Sequence, residues 1–281
     1  MAQKDWFDFA RDPASGTEAV EAQFHAHAYD PHFHDQVLVG VTEQGLQQFR
    51  CRRETQRSTP GRVILMEPGE THDGEAGDAG GFTYAMLYFD PAWLRQAAET
   101  CLGRDAGEAV FRFPSILNDD PLLGPAVLAA CAQLKTPDSR MAREAALDAV
   151  TALLVRRYAG EAMPAQDHAP RLARRAREAI VDHGAEDLGL QALADLAGTD
   201  RFRLHRVFKS AYGIAPHAYL VQYRLNRARK LLSDGLAPAD VAAATGFADQ
   251  SHLGRWFRRA FGQTPAAYRR ACTNLPDGDA R

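Results

Sequence analysis

The rhythm of apolar and polar positions changes twice along this chain. From about residue 20 to 90 the apolar positions come in short runs: Gln36-Val37-Leu38-Val39-Gly40-Val41, Arg62-Val63-Ile64-Leu65-Met66 and Phe82-Thr83-Tyr84-Ala85-Met86-Leu87-Tyr88-Phe89. Turn formers separate them at Tyr29-Asp30-Pro31, Glu43-Gln44-Gly45, Thr59-Pro60-Gly61, Glu67-Pro68-Gly69 and the Gly-rich stretch 73–81. Many short strands at this spacing predict a β-sandwich or small barrel. After Asp90-Pro91 the period lengthens, and 91–101 reads as a helix. Asp119-Asp120-Pro121 is a helix start with Pro in the first turn, predicting a helix over 121–134. Another is predicted over 139–158, where Ala146, Val150, Leu153, Leu154 and Tyr158 keep helical spacing.

Residues 160–170 carry no apolar period and read as a linker. This places a front domain at 1–160, with its barrel at about 20–90 and its helical segment at about 91–158. A linker follows at 161–170, then a rear domain at 171–271. The rear domain is helical nearly throughout. Leu172, Ala176, Ala179, Ile180 and His183 share one face of its first helix, and glycines at 198, 213, 235, 246 and 262 separate the shorter helices after it.

Residues 200–219 and 249–268 are identical at nine of twenty positions, including Asp200/Asp249, Leu204/Leu253, Arg206/Arg255, Phe208/Phe257, Gly213/Gly262 and Tyr219/Tyr268. Composition alone would give about one or two. Each copy reads as a short helix, a Gly-containing turn, an Asp N-cap and a second helix. Asp at that position satisfies orphan backbone N–H groups and suits the helix dipole. This is a helix-turn-helix pattern, predicted twice, at about 190–211 and 238–261. Pro216 to Ser233 reads as one connecting helix of about 27 Å, of the order needed to bring two reading helices near one DNA turn of about 34 Å.

Charge sharpens this reading. Residues 1–168 hold 15 Lys+Arg against 25 Asp+Glu, a balance of −10, whereas residues 169–281 hold 18 against 11, a balance of +7. An acidic body with a basic end suggests a nucleic-acid partner. The 281 residues, 46% of them hydrophobic, exclude disorder, collagen and coiled-coil classes. No apolar stretch approaches the roughly 18 residues of a membrane span. Cys51, Cys101, Cys131 and Cys272 form no paired framework and read as reduced thiols of a cytoplasmic protein.

Within each second helix one side is apolar: Leu204, Val207, Phe208 and Ala211, or Leu253, Trp256, Phe257 and Ala260. The other side carries Arg201, Phe202, Arg203, His205, Arg206 and Lys209 in the first copy. In the second it carries Gln250, Ser251, His252, Gly254, Arg255 and Arg258. Arg reads guanine, Gln reads adenine, and apolar groups meet the thymine methyl. Lys209 and Arg258 lie later in their helices and suit phosphates, which position without specifying. A merely solvated basic face is the plainer alternative, and duplication with matched caps and cores argues against it.

From Leu193-Ala194-Asp195-Leu196-Ala197-Gly198 through Leu204-His205-Arg206-Val207-Phe208-Lys209, Arg224-Leu225, Thr245-Gly246-Phe247 and Phe257-Arg258-Arg259-Ala260-Phe261-Gly262 to Pro265-Ala266-Ala267-Tyr268-Arg269, the chain resembles the AraC/XylS family of bacterial transcription regulators. The resemblance covers about residues 171–270. It implies sequence-specific binding of double-stranded DNA, activation or repression of transcription, and contact with RNA polymerase. It places recognition residues at Phe202, His205 and Arg206, and at Gln250, Ser251, His252, Gly254 and Arg255. Gly254 has no side chain to read a base and suits close backbone approach.

The resemblance also implies that the front domain is a sensor, often a cupin-like β-barrel. The expected fold is therefore a two-domain α+β protein: a cupin-like barrel with helices, then an all-α domain with two helix-turn-helix motifs. His32-Phe33-His34, and Gly61 with Glu67-Pro68-Gly69-Glu70-Thr71-His72, resemble the two cupin motifs, with Glu67 in place of the usual Pro. The acid expected four or five residues after the second His falls at Val39 or Gly40, and Glu43 is the nearest. Three readings stand open: a pocket for a small organic effector using His32, His34, Glu43 and His72; a divalent metal on the imidazoles; or histidines hydrogen-bonded in a barrel mouth. The first is adopted, with no metal, no cofactor and no enzymatic activity. A cupin-type metalloenzyme with an accessory DNA-binding tail is the alternative. Leu122, Leu123, Val127, Leu128, Leu147, Val150, Leu153 and Leu154 form a stripe that suits either a homodimer seam or intramolecular core.

Overall fold

A computed structural model describes residues 5–102, 109–136, 140–161, 169–186 and 188–273. The chain divides into two compact units: residues 1–30 and 34–165 with 274–281 form the front unit, and residues 166–273 with 31–33, the end of a front-unit strand, form the rear unit. The front unit runs β1 (Trp6–Arg11), β2 (Glu18–Phe24), β3 (His27–His32), β4 (Val37–Gly45), β5 (Gln47–Cys51), β6 (Glu54–Ser58), β7 (Val63–Met66), β8 (His72–Ala76) and β9 (Phe82–Phe89). It continues with α1 (Pro91–Leu102), β10 (Ala109–Phe111), β11 (Leu117–Asn118), α2 (Leu123–Lys135), α3 (Arg140–Tyr158) and β12 (Ala159–Glu161).

Two sheets hold most of these strands, in the orders β1-β2-β9-β4-β7-β11 and β3-β8-β5-β6. The large sheet is apolar on both faces because both are covered. Val37, Val39, Val41, Val63, Leu65, Ala85, Leu87 and Phe89 pack with Leu94, Leu123, Val127, Leu147, Val150 and Leu154 of the helices. The intervening residues Leu38, Ile64, Met66, Phe82, Tyr84, Met86 and Tyr88 pack with Phe49 and Cys51 of the small sheet.

The expected barrel is not closed: the two sheets are separate ladders. Gly45 makes the corner that joins them. Only Leu46 separates β4 from β5, so one run of chain serves both sheets and turns the corner between them. Gly45 has φ +73°, and a Cβ there would overlap the Gly81 carbonyl oxygen, so the corner admits glycine alone. The strands also begin earlier than the pattern suggested, at Trp6. β12 pairs with β10, so ordered pairing extends to Glu161, the first residue of the expected linker. The remaining linker residues up to 168 lie outside the described residues. α2 starts two residues after Pro121, where Asp120 Oδ1 accepts the N–H groups of Leu122 and Leu123 at 3.0 and 2.9 Å. The candidate dimer stripe is intramolecular core: Leu123, Val127, Leu147, Val150 and Leu154 are buried, and Leu122 is the member left exposed.

The rear unit comprises α4 (Arg171–His183), α5 (Leu190–Ala197), α6 (Arg201–Tyr212), α7 (Pro216–Ser233), α8 (Pro238–Thr245), α9 (Gln250–Phe261) and α10 (Pro265–Thr273). Left-handed Gly198 and Gly246 end α5 and α8 and turn the chain into α6 and α9. Ala176, Ala179 and Ile180 of α4 pack with Leu193, Ala194, Leu204, Phe208 and Leu220, giving the first motif its core. Among the described residues no helix is long and apolar enough to cross a membrane.

Candidate functional site

In α6, Asp200 accepts the N–H groups of Phe202 and Arg203 at 3.0 and 2.9 Å. The Arg203 N–H above all holds its carboxyl below the usual range. Leu204 and Phe208 are buried. Arg201, Phe202, Arg203, His205, Arg206 and Lys209 are all exposed on the other side. Phe202 is 68% exposed, and the Arg201 guanidinium lies 4.9 Å from its ring centre.

In α9, Asp249 accepts the His252 N–H at 2.6 Å, while Leu253, Phe257 and Phe261 are buried. Gln250, Ser251, Arg255 and Arg258 are exposed. Nothing lies within 4 Å of where a Gly254 Cβ would stand. His252 departs from expectation: it is half-buried, Trp256 donates its indole N–H to His252 Nε2 at 3.0 Å, and Phe247 meets the ring edge-on at 5.4 Å. Its imidazole braces the motif rather than pointing outward. Sequence spacing missed this because a residue three positions past an Asp cap is outward or inward according to its rotamer.

The rear unit carries further exposed cations that the repeat did not single out. They include Arg171, Arg174 and Arg177 on α4, and Arg259. The arginine run of α4 was the available signal. Arg175, also on α4, donates to Leu196 O at 3.3 Å at the end of α5.

His32 and His34 are buried and His72 is half-buried, and one ring nitrogen from each lies within 4.8 Å of the others. His72 Nδ1 lies 2.9 Å from Glu70 O, which fixes the proton on Nδ1 and leaves Nε2 as acceptor or ligand. His34 meets the Tyr88 ring edge-on at 5.2 Å. Tyr29 and Tyr84 share a hydrogen bond of 2.7 Å. Burial pushes the hydroxyls of Tyr29, Tyr84 and Tyr88 well above the usual range, so they stay neutral. Cys51 is the ladder partner of His72, and burial pushes its thiol up to about 12. This set of donors, acceptors and aromatic rings suits a polar group on an organic molecule. The three imidazoles alone could also hold a divalent cation.

Glu43 does not join the histidines, contrary to expectation. It is half-buried, and burial, then the Glu21 charge, raise its carboxyl, with Lys135 of α2 opposing. Odd-numbered β4 residues face the helices, and Glu43 follows them through a bulge between Thr42 and Gln44. Arg52 was not foreseen. It ion-pairs with Glu67 at 3.5 Å and with Glu70, and donates to Phe113 O at 2.7 Å. Arg52 and Arg53 turn the β5–β6 hairpin at φ 51° and 67°, where Asn-Gly is the usual signal.

Comparison with known proteins matches residues 15–154 to the family of AraC-like ligand binding domains and residues 193–271 to a helix-turn-helix domain family. The chain is 28% identical over 244 residues to the uncharacterized HTH-type transcriptional regulator YbfI of Bacillus subtilis, covering 86% of this chain and 87% of that one. The transcriptional activator NphR of Rhodococcus is 41% identical over 85 residues, 30% of this chain and 25% of its own length. The activator RhaS of Escherichia fergusonii is 40% identical over 92 residues, 32% and 33% respectively. Among solved structures, ToxT of Vibrio cholerae with bound unsaturated fatty acid has a TM-score of 0.53 at 13% identity, covering 96% of this chain and 97% of ToxT. The shared feature there is the fold.

Proposed function

Because this chain belongs to the AraC/XylS family of transcription regulators, with a ligand-binding front domain and a helix-turn-helix DNA-binding domain, we propose that α6 and α9 are its two reading helices. The observation that carries this is the duplicated surface: two capped helices, each sealed on one side and polar and cationic on the other. Arg201, Phe202, Arg203, His205 and Arg206 face bases in one groove, and Gln250, Ser251 and Arg255 in the next. Lys209 and Arg258 sit on phosphates, and Gly254 lies against the duplex. One polypeptide then spans two successive grooves without dimer symmetry.

The ligand-binding domain, residues 15–154, takes a small organic effector, with His32, His34 and His72 as its polar contacts and the tyrosine and phenylalanine rings as its apolar wall. Effector binding shifts the populations of DNA-binding states. The protein acts in the cytoplasm as an activator through RNA polymerase and catalyses no reaction; the names of NphR and RhaS support activation. Its operating boundaries are a sensor at 1–160 and a DNA-binding domain at 171–271. DNA footprinting upstream of neighbouring transcription units, with and without candidate metabolites, tests the reading. Two protected patches about one turn apart, altered by one metabolite, are expected. Uniform, sequence-independent protection would reject it.

A further inference from the structure

Two DNA-reading helices on one chain recognise a site only if something fixes their separation. α7 joins the two motifs, and two consecutive residues in its middle grip the end of α4. Tyr223 donates its hydroxyl to Val181 O at 2.9 Å. Arg224 donates from Nε to Gly184 O and from Nη2 to Glu186 O, both at 2.7 Å. Val181 lies in the last turn of α4, Gly184 is its C-cap and Glu186 follows in the loop, so the arginine fork holds the chain where the helix ends. The fit is close. A Cβ on Gly184 would stand 2.7 Å from the Tyr223 ring.

The same turn meets the second motif. A Cβ on Gly246, the left-handed residue between α8 and α9, would lie 2.6 Å from Ala185 O and 3.0 Å from Arg224 Cζ. α4 belongs to the core of the first motif. The turn of the second motif therefore rests on the end of a first-motif helix, and Arg224 pins that end to the connecting helix.

We propose that Arg224 is a positioning residue that sets the spacing of the two half-sites this protein accepts. The proposal rests on the assignment of α6 and α9 as reading helices. Arg224 touches no base in this arrangement. It acts by making the two motifs one rigid ruler. A change of one base pair moves a half-site by about 3.4 Å and rotates it by about 35°, which a rigid ruler does not follow and a hinged one does.

The test uses the full chain. Selection from a random duplex pool first defines the paired half-sites of the parent protein. Affinities are then measured for duplexes with the half-sites moved by one or two base pairs, and for a single half-site. The parent is expected to lose about tenfold or more on a one-base-pair change, as when linked sites cannot be engaged together. Arg224→Ala is expected to bind the single half-site like the parent but to hold the moved sites within about threefold of the best one. Arg224→Lys keeps the charge and most of the stem but loses the rigid planar fork that holds both carbonyls from separate nitrogens, and should show the same flattening. It decides the matter if the alanine variant loses its helical signal. A variant that keeps the parental spacing preference, or loses single and paired sites alike, overturns the proposal. A parent that selects no paired motif sinks the reading-helix assignment itself, which is a distinct result.

Discussion

Trp256 and His252 sit one helical turn apart on α9, and the indole N–H of the first reaches Nε2 of the second at 3.0 Å. Indole nitrogen only donates, so Nε2 is bare and the imidazole proton is on Nδ1. The 3.5 Å approach of the Ala248 N–H to Nδ1 is then a contact rather than a bond. Trp256→Phe keeps an aromatic ring and removes the donor. It should lower stability by about 1 kcal/mol, read by denaturant unfolding. An unmoved midpoint would mean that the bond does not brace the motif.

Gly254 is a helix-interior residue of α9 with neither a side chain nor a neighbour that forbids one. Gly254→Ala should stabilise the protein by about 0.5–1 kcal/mol and weaken operator binding. The two measurements move in opposite directions because the first tests the helix and the second tests the space beside DNA. Stronger or equal operator binding would show that no backbone approaches there.

Arg206 and Lys209 are both exposed on α6, yet substitution should separate them. Arg206→Ala should weaken the operator by about 1–3 kcal/mol and relax discrimination at its base. Lys209→Ala should weaken operator and random duplex alike and reduce the salt slope by about one unit. Titrations at several salt concentrations with both duplexes distinguish the two.

In the front unit, His72→Ala should abolish the response to effector while leaving basal operator binding intact. Glu43→Gln should leave the response unchanged, because Glu43 lies on the helix-covered face with Glu21 and Lys135. Equal loss in both variants would place the effector elsewhere. Footprint changes on adding the active metabolite provide the readout.

Arg53 turns the β5–β6 hairpin at φ 67°. Glycine adopts that conformation without a steric penalty, so Arg53→Gly should raise stability by up to about 1 kcal/mol. Thermal melting checks it, and a lower midpoint would show that Arg53's contacts outweigh its backbone strain.

The sequence by itself determined the rear domain: Asp200 and Asp249, the turn glycines and the apolar positions of α6 and α9 are local signals, set by neighbours within one or two turns. It also showed the alternation that made β4, β7 and β9 strands. Only the tertiary structure decided which way the ambiguous groups turned. His252 faces inward because Trp256 and Phe247 meet it there. Glu43 leaves the histidines because a bulge and the strand's pleat send it to α2. One run of chain passes from the large sheet to the small one because Gly45 bends it against Gly81, 36 residues away. Periodicity records which side of an element is apolar. It does not record what lies on that side, because the partners are brought there by distant parts of the chain.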